Sequence, residues 1–144
     1  MGQGRKAKRQ RAKGKGQGKM GKGGFKSLKV WQKSKDLAVY IYQITNNGIF
    51  NKDYGLRDQI RRAAVSIASN IAEGDERETD KEAVRYFYIA KGSSAEVLTQ
   101  ATIAYEIGYM EQATFSETER KCIEISSMLS KLISVRSKLS AFRP

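Results

Sequence analysis

Residues 54–74 read YGLRDQIRRAAVSIASNIAEG. Leu56, Ile60, Ala63, Ile67 and Ile71 recur at three- and four-residue spacing, which puts them on one face of an α-helix. Asp58 precedes Arg62 by four positions, an order that supports a helix by a few tenths of a kcal/mol. Between 63 and 72 there is no charged residue on any face. A helix with one side in water carries charge there, so this one is expected to be covered on several sides, by its own bundle and by another subunit. The pattern predicts a helix over 56–73, stopped by Gly74.

The flanking sequence repeats the same period. Upstream, Leu37, Ala38, Ile41 and Ile44 predict a helix over 34–46, with Ser34 as N-cap and Trp31 packed across the first turn. The stretch NNGIFNKDYG (46–55) reads as a loop. Downstream, Thr79 and Glu82 form a capping box. The helix they open is expected to run to about Tyr105 and stop at Gly108. It carries one stripe of Val84, Phe87, Tyr88, Ala95, Leu98 and Thr102, and beside it a second of Ala83, Ala90, Ser94, Val97, Ala101 and Ala104. Gly92, Ser93 and Ser94 at its middle suggest close helix approach, although they weaken the helix intrinsically. A fourth helix opens with Thr114 and Glu117, or Ser116 and Glu119, and continues through Cys122, Ile125, Met128, Leu129, Leu132, Val135, Leu139 and Phe142. The only proline is Pro144, so nothing breaks these helices from within. No stretch alternates like a strand. The expected fold is all-α: an antiparallel up-and-down four-helix bundle.

The first 29 residues are of another kind. They hold 11 of the 27 lysines and arginines, none of the 15 acids, and eight of the 13 glycines. The net charge of +12 therefore divides into +11 before residue 30 and +1 after it, where 16 bases face 15 acids. This divides the chain into a basic Gly/Lys-rich tail, 1–29, expected to be disordered when free, and a bundle, 30–144. A tail of this charge suits a polyanion, and nucleic acid is the commonest large one. The plainer reading is a solubilising extension. The tail candidates for nucleic-acid contact are Arg5, Lys6, Lys8, Arg9, Arg11, Lys13, Lys15, Lys19, Lys22, Lys26 and Lys29. Arg57, Arg61 and Arg62 near a helix start, with Arg85 and Lys91 on the next helix, are the body candidates; each is equally readable as a solvated or ion-paired surface residue.

Chemistry of other kinds finds little support. The chain has no histidine, the commonest general base and transition-metal ligand. The glycines of KGKGQGKMGKGG (13–24) follow no strand and open no helix, so they do not form a phosphate-cradling loop. The acids of ETDKEAVR and EQATFSETER sit where helices start and suit the helix dipole. Cys122 lies on an apolar stripe, a core position rather than a nucleophile. Tyr86, Tyr88, Tyr105 and Tyr109 have the spacing of packing residues more than of base-stacking ones. Glu96 reads either as a partner of Arg62 or as a solvated surface acid. No enzyme activity, cofactor or metal is expected. A single cysteine permits no intrachain disulfide, and no apolar run reaches membrane-spanning length, which fits a cytoplasmic protein.

Three blocks carry a resemblance: LKVWQKSKDLAVYIYQIT (28–45), YGLRDQIRRAAVSIASNIAEG (54–74) and KEAVRYFYIAKGSSAEVLTQATIAYEIGY (81–109). In order and spacing they resemble the bacterial four-helix-bundle proteins encoded in intervening sequences of large-subunit ribosomal RNA genes. The chain departs from that family's pattern at Ala68, where proline is usual, at Leu98, where an acid is usual, and in its long basic tail. The resemblance implies an antiparallel bundle assembled as a ring-like homopentamer. It also implies kinship with accessory variability proteins of diversity-generating retroelements, which bind nucleic acid and a reverse transcriptase. The expected function is a non-enzymatic, oligomeric RNA-binding accessory of an RNA-containing machine. The alternative is an assembly scaffold for a protein partner such as a reverse transcriptase.

Overall fold

The computed structural model describes residues 21–142, with side chains from 24 to 141. After a 3-10 segment, Gly21–Ser27, come five helices: α1 (Lys29–Ile44), α2 (Gly48–Lys52), α3 (Tyr54–Asp75), α4 (Asp80–Glu106) and α5 (Gln112–Phe142). The four long ones form a bundle in which each packs on its neighbours in the chain and α1 closes against α5. Cross-helix pairs show that neighbours run in opposite directions. Ser66 and Gln59 of α3 meet Ser93 and Gln100 of α4. Ser94 and Asp80 of α4 meet Cys122 and Arg136 of α5. Lys33 of α1 meets Glu124 of α5. There is no strand among the described residues.

The periodic residues form the core. Leu37 and Ile41, Ile60, Ala64, Ile67 and Ile71, Phe87, Val97 and Ala101, and Ile125 and Leu129 are all fully buried or within 1% of it. Of the two α4 stripes, the one from Ala83 to Ala104 is entirely buried, whereas Tyr88 and Ala95 of the other are exposed.

Helix ends follow local chemistry, not always where the sequence placed them. Asp53 caps α3 by accepting from Leu56 N at 3.1 Å, and Thr79 caps α4 by accepting from Glu82 N at 3.1 Å. Gly108, at φ +88, lets the chain turn after α4. Ser34 is not an N-cap. It is buried within α1, and its hydroxyl donates to the Val30 carbonyl at 2.7 Å. Thr114 and Ser116 likewise lie inside α5, which starts at Gln112. Part of 46–55 winds into α2 around buried Phe50. Gly74 does not stop α3; a Cβ there would come within 2.8 Å of Phe87 Cε1 and 3.0 Å of the Ala83 carbonyl oxygen. It allows α3 and α4 to approach closely; of Gly92, Ser93 and Ser94, given that role from sequence, Ser93 and Ser94 are buried and bond to α3 and α5, whereas Gly92 has nothing within 4 Å.

The packed body also begins earlier than residue 30. Phe25 is only 5% exposed, and its ring lies 5.2 Å from that of Trp31. Gly24, at φ 57, Ser27 Oγ donating to Gly24 O and Gln32 Nε2 donating to Lys26 O fix the turn that delivers it.

Candidate nucleic-acid interface

Eight of the tail candidates, Arg5, Lys6, Lys8, Arg9, Arg11, Lys13, Lys15 and Lys19, lie outside the described residues. Lys22 is described in its backbone alone, and Lys26 and Lys29 are exposed.

Of the body candidates only Arg57 and Arg61, one turn apart on α3 and about 40° apart around its axis, share a flank. Successive residues of a helix point about 100° apart, so neighbours in sequence part company. Arg57 turns to α2, donating to the Asn51 carbonyl at 3.0 Å, and pairs with Asp58 at 2.9 Å. Arg61 faces α1: its Nε donates to Thr45 Oγ1 at 2.9 Å, and its guanidinium sits 4.6 Å from the centre of the Tyr42 ring. Arg62 is exposed on another side, and the pair expected between it and Asp58 is not formed, since Asp58 is taken by Arg57. Glu96 is exposed and unpaired among the described residues, which makes it a solvated surface acid. Arg85 is exposed and Lys91 half-buried, and they lie on opposite flanks of α4 by the same 100° rule. The predicted basic cluster is thus one pair, Arg57 and Arg61, and three separate positions.

The tyrosines weighed for base stacking have mostly structural partners. Tyr86 lies under Arg77, Tyr105 stacks on Phe115 at 4.9 Å, and Tyr109 packs on Phe50 and donates its hydroxyl to Asp53 at 2.8 Å. That hydrogen bond raises the Tyr109 pKa, and the Leu56 amide, with the Tyr109 hydroxyl second, lowers that of Asp53. Tyr88 is exposed.

Sequence reasoning passed over Tyr42. With Arg61 it borders an open groove of about 740 Å³ between α1 and α3. Trp31, Ala38 and Val39 line one wall, and Val65, Ala68 and Ala72 the other. Lys35, Gln43, Asn46 and Ser69 add polar groups, Phe25 also lines the groove, and no acid does. The uncharged girth of α3 is thereby divided. Ala63, Ala64, Ile67 and Ile71 enter the core, Ser66 hydrogen-bonds to Ser93 of α4 while Asn70 donates back to Ser66, and Val65, Ala68, Ser69 and Ala72 face the groove.

Other side chains are accounted for locally. Glu117 is held at a pKa of about 2 by hydrogen bonds from Arg120, aided by Lys121. Burial pushes the Cys122 thiol up to about 11, far from the range of a nucleophilic cysteine. Among the described residues no group of three metal-ligating side chains comes together, and no helix is long and apolar enough to cross a membrane.

Residues 26–131 match the family model described as 23S rRNA-intervening sequence protein. No curated protein matches the chain. Among solved structures, the fold is similar to that of a protein of unknown function from the S23 ribosomal protein family of Bacteroides thetaiotaomicron VPI-5482. The TM-score is 0.67 at 23% identity, over 72% of this chain and 97% of that one.

Proposed function

This chain belongs to the 23S rRNA-intervening sequence protein family, and from that premise we propose that it is a non-enzymatic, oligomeric RNA-binding accessory protein of an RNA-containing machine. The observation that carries the reading is the segregation of charge: +11 in residues 1–29 against +1 in the other 115. Charge this concentrated neutralises phosphates and releases their counterions, with little dependence on base sequence. Lysines dominate the arm, and a lysine meets phosphate as a point charge without the fixed fork that reads a base edge. A cytoplasmic setting accords with the single buried cysteine.

The oligomer is supported by apolar surface that the bundle leaves uncovered. Ile89 and Ile103 of α4 and Ile107, which caps its C-terminus, are each about half exposed, and by helical geometry the first two lie about 40° apart. A second subunit on this ridge covers them, and a ring presents several basic arms to one strand, raising the effective concentration of each. The count of five subunits follows the family resemblance. The same ridge favours the second reading, a scaffold for a protein partner such as a reverse transcriptase. Gel-shift titration with purified RNA tests the first reading: retention that falls steeply with salt supports it. Absence of any shift, with partner capture that survives nuclease treatment, moves the function to the scaffold.

A further inference from the structure

We infer that the groove between α1 and α3 is a base-binding subsite for single-stranded RNA, with Tyr42 and Arg61 as its stacking platform. The inference rests on the RNA-binding reading and adds to it a place where bases, not only phosphates, are held.

The groove joins what single-strand recognition requires: aromatic and guanidinium planes for stacking, amides for base edges, and positive charge along the backbone path. Tyr42 is 46% exposed although Arg61 lies over its ring, so aromatic surface remains open beside the guanidinium. Arg61 commits only its Nε–H, to Thr45; its terminal nitrogens have no partner among the described residues and are free for a phosphate or a base. Gln43 and Asn46 line the same space with side-chain amides that make no hydrogen bond among the described residues, groups able to donate to and accept from a base edge. The volume of about 740 Å³ lies within the range of roughly 300–1,000 Å³ typical of sites for small organic groups.

Charge and chain path select a nucleic acid over an apolar protein helix as the occupant. Among the described residues Lys35 and Arg61 are the charged ones that line it; Lys35 is paired with Asp36 at 2.7 Å, outside the lining, and Arg61 carries no acid, so the groove's own charge is positive. Phe25 lines the groove four residues after the described chain begins, so the basic stretch 1–20 joins the body beside it.

The chain's only tryptophan, Trp31, lines the groove and reports on it. The experiment titrates the full-length protein with short single-stranded oligoribonucleotides and with abasic strands of equal length. It follows Trp31 fluorescence and affinity at constant salt, with the mass of each variant measured by light scattering. Base-bearing strands are expected to quench Trp31 and to bind about tenfold more tightly than abasic ones, in line with the contribution of one stacked base. Tyr42→Ala should remove that advantage and leave abasic binding and mass unchanged. Tyr42→Phe, which keeps the ring, should retain the advantage, and Tyr88→Ala, at an exposed tyrosine away from the groove, should have no effect. Equal binding of base-bearing and abasic strands overturns the subsite while leaving the RNA-binding reading intact. A change of mass in Tyr42→Ala without loss of base preference overturns it in favour of a contact between copies of the chain. Failure of every strand to bind overturns both readings together.

Discussion

Removing the aromatic ring of Phe25 should destabilise the whole bundle, although the residue lies in a glycine- and lysine-rich stretch. The ring is 5% exposed, tilted at 60° against Trp31 with centroids 5.2 Å apart. Large-to-small changes at buried phenylalanines cost about 3–5 kcal/mol. Phe25 sits at the edge of the core beside an open groove, where water can enter the space left behind, so the lower end applies, about 3 kcal/mol. For a domain of this size each kcal/mol lowers Tm by about 4 °C, so Phe25→Ala should unfold roughly 10 °C below the parent. Two truncations sharpen the test. Loss of residues 1–20 removes charge and few apolar side chains and should leave Tm within about 2 °C. Loss of residues 1–29 removes Phe25 and the part-buried Leu28 and should destabilise at least as much as Phe25→Ala. The assay is thermal unfolding by far-UV circular dichroism. Equal Tm values for the two truncations would refute the reasoning and return the boundary to residue 30.

Gly74→Ala should lose about 1–3 kcal/mol by overpacking against Phe87 and the Ala83 carbonyl, whereas Gly92→Ala, with open space around it, should gain up to about 1 kcal/mol; chemical denaturation of the pair measures both signs. Arg136→Ala removes the guanidinium paired with Asp80, whose side chain is 6% exposed, and should cost about 1–3 kcal/mol, read from the denaturation midpoint. Cys122 titrates higher in the fold, at about 11, than its ordinary value near 9. Its contribution is therefore complete below about pH 9 and lost as pH rises toward 11, and Cys122→Ala should flatten the fall of stability over that window. Light scattering should give a mass about five times 16.1 kDa, and Ile103→Glu should lower it; a 16.1 kDa species for the parent would remove the oligomer from the account.

The fold was legible because 3.6-residue periodicity survives across each long helix and no body proline interrupts it. Ile60, Ile67 and Ile71, and Val97 and Ala101, stand in the core where the pattern put them. Errors arose where one residue type serves two physical roles. A serine before an apolar run reads as an N-cap, yet Ser34 satisfies its hydroxyl inside the helix, on the carbonyl four residues back. A glycine after a run reads as a stop, yet Gly74 is there for closeness to α4. Phe25 was hidden because periodicity needs several apolar residues, and this one stands alone among glycines and lysines. At the candidate interface the limit is of another kind. Arg61 and Arg62 are neighbours in sequence but project to different sides, and only Arg57, one turn earlier, shares the flank of Arg61. Tyr42 and Arg61, on different helices, meet only through the α1–α3 contact, which helical spacing within one segment does not reveal. The charge of the tail was plain in composition.

The central claim is that the basic arm supplies most of the affinity for RNA. Its most direct test is a salt titration of RNA binding by the full chain and by a chain lacking residues 1–20, on two unrelated single-stranded sequences. If each arm neutralises about six phosphates, the full chain should show a log–log slope near −4 on both RNAs. The truncated chain should bind at least about tenfold more weakly at moderate salt, with a flatter slope. Affinity and slope unchanged by the truncation would contradict the account.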